Sequence, residues 1–208
     1  MPSPRYDLHL HSRAGRGELS ARDLVALAAD RGLAGIAVTD VDTIDGLAEA
    51  SAAAQLFGIT LIPGVEITCT YARGDRMHMI GYLIDPHHAA LQQLLAQRGA
   101  TLEVPHAASV IEAIHHAGGV AVLARPGMRH GGVDEEQVRA LAHAGIDGLE
   151  VDHPGHGDDD IRRLARLAAE LQLVEVAGSD DSSAHDSRLG CRTSSERVLE
   201  ALRARVRQ

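Results

Sequence analysis

The sequence predicts an α/β protein, a single domain over residues 1–208 in which seven strands alternate with helices. Three observations carry that expectation. Short β-branched runs alternate with longer Ala/Leu-rich segments of helical period. The chain shows no internal repeat and no linker long enough to divide it. Ionisable residues gather at the C-terminal ends of six of the seven strand candidates, where barrels and open α/β sheets place their chemistry. A closed or nearly closed barrel fits best, with an open doubly wound sheet as the alternative.

The elements follow in order. A strand over Tyr6 to Leu10 carries His9 at its end, with His11 just beyond. Ser20 and Asp23 resemble a capping box that opens a helix over Ala21 to Arg31, with Asp in place of the usual Glu. A strand over Gly35 to Thr39 precedes Asp40 and Asp42, and a helix covers Ile44 to Phe57. Strands over Thr60 to Glu66 and Met77 to Tyr82 flank the one obvious hairpin signal, Ala72-Arg73-Gly74-Asp75. Helices over Ala89 to Gln97 and Ala108 to Ala117 lead to a strand over Val120 to Ala124, which ends at Arg125. A helix over Glu135 to Ala144, a strand over Gly148 to Val151 and a helix over Asp159 to Leu171 come next. The last strand, Val174 to Ala177, precedes Asp180 and Asp181, and a helix over Ser195 to Val206 closes the chain. Seven strands separated mostly by helices imply a parallel sheet.

Composition narrows the function. The formal net charge is −9, and every base is arginine. An acidic chain without a basic cluster argues against nucleic acid as a bulk partner and leaves room for a small anion held by a few arginines. No apolar run is long enough to span a membrane. Arg5, Asp7 and His9 fall where the apolar core of a signal peptide would lie. Two distant cysteines, Cys69 and Cys191, fit a reduced, cytoplasmic protein. With only four aromatic residues of the Phe/Tyr/Trp kind, the core must be built from Leu, Ile, Val and Ala. The 13 histidines require a separate explanation.

His9-Leu10-His11 supplies part of one. Residues i and i+2 of a strand share a face, so both imidazoles point the same way. With Glu66 and Asp180 from other strand ends they form a nitrogen/oxygen set suited to Zn, Mn or Fe. A lone His-x-His is weak evidence; the convergence of strand ends strengthens it.

Asp7-Leu8-His9-Leu10-His11-Ser12, Thr39-Asp40-Val41-Asp42-Thr43, Pro63-Gly64-Val65-Glu66-Ile67, Met77-His78-Met79-Ile80-Gly81-Tyr82 and Gly178-Ser179-Asp180 resemble the polymerase and histidinol phosphatase (PHP) family. The similarity runs from Tyr6 to about Gly190. It implies a distorted seven-stranded (β/α)7 TIM-like barrel and, commonly, phosphoester hydrolysis at up to three metals. By the resemblance, His9, His11, Glu66 and Asp180 match the ligands of a first metal, and Glu66 and His78 match ligands of a second. The family's Ala-His-Pro motif reads Ala124-Arg125-Pro126 here, and the ligands expected for a third metal fall at Arg16, Val41 and Ser182. Valine cannot bind a metal, and arginine keeps its proton. Fewer than three metals are therefore expected. Arg16 and Arg125 either replace part of the lost cationic field and hold a substrate anion bidentately, or are decayed positions facing away from the pocket. The segment around 85–118 is short for a cap insertion. The loop His153-Pro154-Gly155-His156 resembles one that some relatives place beside substrate.

The leading reading is a metal-dependent hydrolase acting on a small phosphorylated molecule. The metal sits on His9, His11, Glu66 and Asp180, Arg16 and Arg125 neutralise substrate charge, and His78 or His153 transfers a proton. The alternatives are a metal enzyme of another reaction class (amide hydrolysis or a lyase reaction) and an inactive binding module. His156 is expected to be solvated, and His185 is a candidate for completing the cluster from a shifted loop.

Overall fold

The computed structural model describes residues 3–71, 76–101, 103–127, 133–185 and 187–206. The elements run β1 (Arg5–Leu10), α1 (Ala21–Asp30), β2 (Gly35–Val38), α2 (Leu47–Phe57), β3 (Thr60–Thr70), β4 (Arg76–Tyr82), α3 (Ala89–Thr101), α4 (Ala107–His116), β5 (Val120–Leu123), α5 (Glu135–Ala144), β6 (Gly148–Asp152), α6 (Asp158–Glu170), β7 (Val174–Ala177), β8 (Ser194–Ser195) and α7 (Glu196–Arg203). Local chemistry explains several boundaries. The Ser20 hydroxyl accepts from the Asp23 N–H at 3.1 Å, as the capping signature predicts. Asp134 and Gln137 form a reciprocal capping box on α5, and Gly145 ends that helix in the left-handed conformation.

The strands form one sheet in the order β7-β6-β5-β4-β3-β2-β1-β8. The parallel sheet that the helices imply is interrupted where the hairpin signal stands, because β4 is antiparallel to both β3 and β5. The short connection between β3 and β4 leaves no room for the crossover that parallel pairing needs. Its turn, 72–75, lies outside the described residues. The reversal has a consequence for the site: the start of β4, not its end, lies at the mouth, and His78 is carried there.

The eighth strand, absent from the sequence expectation, is a two-residue piece antiparallel to β1. The Ser194 hydroxyl accepts from the Ala177 N–H at 2.9 Å, tying β8 to the end of β7. Beyond β7, the His11 N–H donates to the Asp181 carbonyl at 2.9 Å, and Leu10 bridges Asp181 in parallel. These links draw the sheet's two ends together into a nearly closed barrel. Gly178 makes the approach feasible, since a Cβ there would lie 2.3 Å from the His9 Cβ.

Alternation sorts the side chains. Val65, Ile67 and Cys69 of β3, Met77 and Met79 of β4 and Leu149 and Val151 of β6 pack outward with the helices. Leu8, Ala37, Ile62, Ile80, Val122 and Val176, from six different strands or strand ends, meet inside as an apolar floor. The buried Tyr82 hydroxyl donates to the Leu8 carbonyl there at 2.8 Å. Between Asp7 and Leu10, β1 has one residue more than its partner β2, a bulge that shifts its alternation. Leu8 therefore joins the floor, while His9 and His11 face inward above it.

Candidate metal centre

Above the apolar floor the interior is polar, and each group arrives from a different strand. His9 Nε2 lies 3.6 Å and His11 Nε2 3.5 Å from Glu66 Oε2. Asp180 Oδ1 lies 3.0 Å from His11 Nε2 and 3.6 Å from His9 Nε2. Ligands held 2.0–2.1 Å from a tetrahedral ion are about 3.3 Å apart, so these spacings suit a shared cation. His9, His11 and Glu66 form the compact trio, with one ligand atom from each within 4.8 Å of the others. All three are fully buried, and His9 Nε2 and Glu66 Oε2 have no hydrogen-bond partner. Buried polar atoms are rarely left unsatisfied, and two that face one another fit a divalent ion. Asp180 stands at the rim, where it is also engaged by Arg16, Arg125 and His153.

Glu150 belongs to the centre, and the sequence reading passed over it. From the interior face of β6 its Oε1 lies 2.8 Å from His9 Nδ1, and its Oε2 accepts the Arg125 N–H at 2.9 Å. A carboxylate on Nδ1 fixes the tautomer that leaves Nε2 free for a metal. The available signal was one acid within the apolar run Gly148-Leu149-Glu150-Val151, where burial without a partner would be costly.

Both arginines face the pocket. Arg125 Nη2 donates to Glu66 Oε1 and to His78 Nδ1, each at 2.5 Å, and Nη1 donates to Asp180 Oδ2 at 3.1 Å. Arg16 Nη2 donates to His11 Nε2 at 2.9 Å and to Asp180 Oδ1. Arg125 and Asp180 both have left-handed backbones, with φ of 47° and 44°. Such conformations are unfavourable outside glycine and concentrate at functional sites.

Mutual attraction outweighs desolvation at the two carboxylates, Glu66 and Asp180. Burial works to raise the Glu66 carboxyl, but His9, His78 and Arg125 hold it well below the usual range. Burial likewise opposes ionisation of Asp180, yet its close contacts with His11 and His153 and the charges of His9 and Arg125 keep it far below its ordinary value. His11 is lowered chiefly by burial, which leaves a neutral imidazole suited to metal ligation.

His153 is buried, with Nε2 3.1 Å from Asp180 Oδ2. The Gly155 N–H donates to its Nδ1 at 2.9 Å, so its proton sits on Nε2, the atom facing the site. His156 corrects the expectation of a solvated residue: it is buried, and its Nδ1 donates to the Val151 carbonyl at 2.9 Å. His185 is exposed and does not join the trio. Asp40 and Asp42, which follow β2 near the mouth, hold backbone instead of ligand. Asp40 accepts from the N–H and hydroxyl of Ser12, each at 2.6 Å, and Asp42 from the N–H and hydroxyl of Thr68 at 2.8 and 2.9 Å.

A profile of the PHP domain matches residues 7–158. The chain belongs to the PHP domain family. A 5'-3' exoribonuclease of Haemophilus influenzae is 29% identical, covering 85% of this chain and 89% of the relative. A 3',5'-nucleoside bisphosphate phosphatase of Chromobacterium violaceum is 28% identical, covering 84% and 86%. A crystal structure from Bifidobacterium adolescentis, described as a metal-dependent phosphoesterase, superposes with a TM-score of 0.88 at 23% identity, covering 100% of this chain and 98% of that one. The PHP chain shares its barrel fold with that structure.

Proposed function

We propose that this protein is a metal-dependent phosphoesterase that hydrolyses a small phosphorylated molecule. The observation that carries the reading is the convergence of two guanidinium groups on the same carboxylates that border the His9, His11 and Glu66 trio. Guanidinium binds phosphoryl oxygens bidentately, and a dry cluster magnifies that attraction. The names of the two relatives denote cleavage of a phosphate ester in a nucleotide and in RNA, which supports the same substrate class.

His9, His11 and Glu66 would hold one divalent ion, with Asp180 as a fourth ligand at the rim, once the half-exposed Arg16 withdraws its Nη2 from His11 Nε2 and Asp180 Oδ1. Such an ion supplies Lewis acidity toward a phosphoryl oxygen and a more acidic water. The chain's own groups do the rest. Arg16, 41% exposed at its side chain, reaches in from the rim and grips the incoming phosphate. Arg125 spends three of its N–H groups on Glu66, His78 and Asp180, leaving two of its five for substrate. His153 presents its Nε2 proton beside Asp180, placed to protonate the departing oxygen. His78, whose Nδ1 accepts from Arg125, positions the guanidinium together with Glu66. The reduced segment around 85–118 belongs to this proposal as the source of an open mouth. Alignments spanning 247 positions against a chain of 208 residues are consistent with relatives carrying additional segments.

The test is phosphate release from nucleoside 3',5'-bisphosphates, 5'-phosphorylated oligonucleotides and generic monoesters, with Arg16→Ala and His153→Ala as variants. Arg16→Ala raises KM with kcat little changed. His153→Ala lowers kcat by about 10²–10⁴ on substrates with poor leaving groups and much less on p-nitrophenyl phosphate. An equal loss on both substrate types contradicts the role given to His153.

A further inference from the structure

We infer that Arg125 is the resident second cation of this site, its guanidinium filling the place between Glu66 and His78 so that the barrel holds one divalent ion instead of two. The inference rests on the metal-binding part of the function proposed above.

The geometry is specific. Glu66 Oε1 and His78 Nδ1 lie 2.7 Å apart, close enough to share one cation, and Arg125 Nη2 is 2.5 Å from each. No metal ion fits between them while that nitrogen remains. Glu66 is thus divided between two positive charges, with Oε1 on the guanidinium and Oε2 turned to the orphaned His9 Nε2. Asp180 is divided in the same way, with Oδ2 on Arg125 and Oδ1 toward His11.

Arg125 does not behave as a surface residue that has drifted inward. Its side chain is only 17% exposed. Its backbone N–H is fixed on Glu150 Oε2 at 2.9 Å, and its φ of 47° keeps a left-handed conformation that a non-glycine residue does not adopt freely. Glu150 also orients His9, so one carboxylate sets the position of the resident cation and of the metal ligand. Because a guanidinium does not lose its proton at physiological pH, this charge is present whatever the supply of metal ions.

The experiment counts ions on the full chain. The chelated protein is titrated separately with Mn2+ and Zn2+, with bound Mn2+ followed by electron paramagnetic resonance, which also reports spin coupling between adjacent ions. The wild type is expected to take up one equivalent with no coupled signal, and Arg125→His a second, coupled equivalent, since an imidazole there joins Glu66 and His78 as a ligand set. His78→Ala should leave the count at one, because His78 holds the guanidinium and not an ion. Two equivalents in the wild type overturn the inference, as does a loss of the single equivalent in His78→Ala. A folded Arg125→His that still binds one ion also overturns it. If Arg125→His does not fold, the wild-type and His78→Ala counts decide. Failure of the phosphoesterase reading is separate: a protein that binds one ion and releases phosphate from no ester leaves this inference standing.

Discussion

Glu150 acts on the site through the residues it holds. Its two oxygens serve His9 Nδ1 and the Arg125 N–H. In Glu150→Gln one of these acceptors becomes an amide donor, facing either an N–H or the imidazole. The variant is expected to fold and to bind a divalent ion about 10–100-fold more weakly, measured by competition with a fluorescent chelator. An unchanged affinity removes Glu150 from the metal centre. Residue by residue, the sequence was legible where periodicity met chemistry. His9 and His11 share a face by their i, i+2 spacing, and they meet Glu66 as expected. Glu150 was not legible, because an isolated acid on a strand carries no signal of which face it occupies. Asp40 and Asp42 were legible as strand-end acids but not as loop anchors, since their backbone partners Ser12 and Thr68 lie far away in sequence.

At the scale of elements, alternation and helix caps gave most boundaries, and strand direction was legible at the hairpin signal but not at β5. The hairpin signal between Cys69 and Met79 implies an antiparallel β3–β4 pair, whereas nothing in the sequence marks β5 as antiparallel to β4. The antiparallel β4 brings His78 to the mouth from a strand's first half, a position that strand-end reasoning does not explain. The two-residue β8 has no apolar pattern to reveal it; Ser194 joins β1 and β7 through hydrogen bonds alone. Closure at β7 depends on Gly178. In Gly178→Ala the new methyl would sit 2.3 Å from the His9 Cβ, so the end of β7 must move outward. A loss of about 1–3 kcal/mol in denaturant unfolding is expected, together with weakened metal binding, as the overpacked strand withdraws Asp180. A variant as stable as the wild type, with unchanged metal affinity, contradicts this account of closure.

Across the whole molecule, an apolar floor supports a charged upper layer inside one barrel. No helix among the described residues is long and apolar enough to cross a membrane. The two thiols sit in opposite environments, Cys69 buried against the helices and Cys191 exposed. Burial pushes the Cys69 thiol up to about 12 from an ordinary 9.0. The native protein is therefore expected to react at Cys191 alone with a thiol reagent, and at both cysteines once unfolded. Between those two values the unfolded thiol has lost its proton while the folded one keeps it. This group thus lowers stability as pH rises from about 9 toward 12, which a Cys69→Ala comparison at two alkaline pH values checks.

In a chain of net charge −9, Arg16 and Arg125 set two positive charges in the mouth. The cluster is proposed to hydrolyse a phosphate ester with a divalent ion on His9, His11 and Glu66. The most direct test is the initial rate of phosphate release from a nucleoside 3',5'-bisphosphate before chelation, after chelation, and after adding back Mn2+ or Zn2+. Release that disappears on chelation and returns with one of these ions is the predicted result. Release that chelation leaves untouched, or no release under any of the three conditions, contradicts the claim.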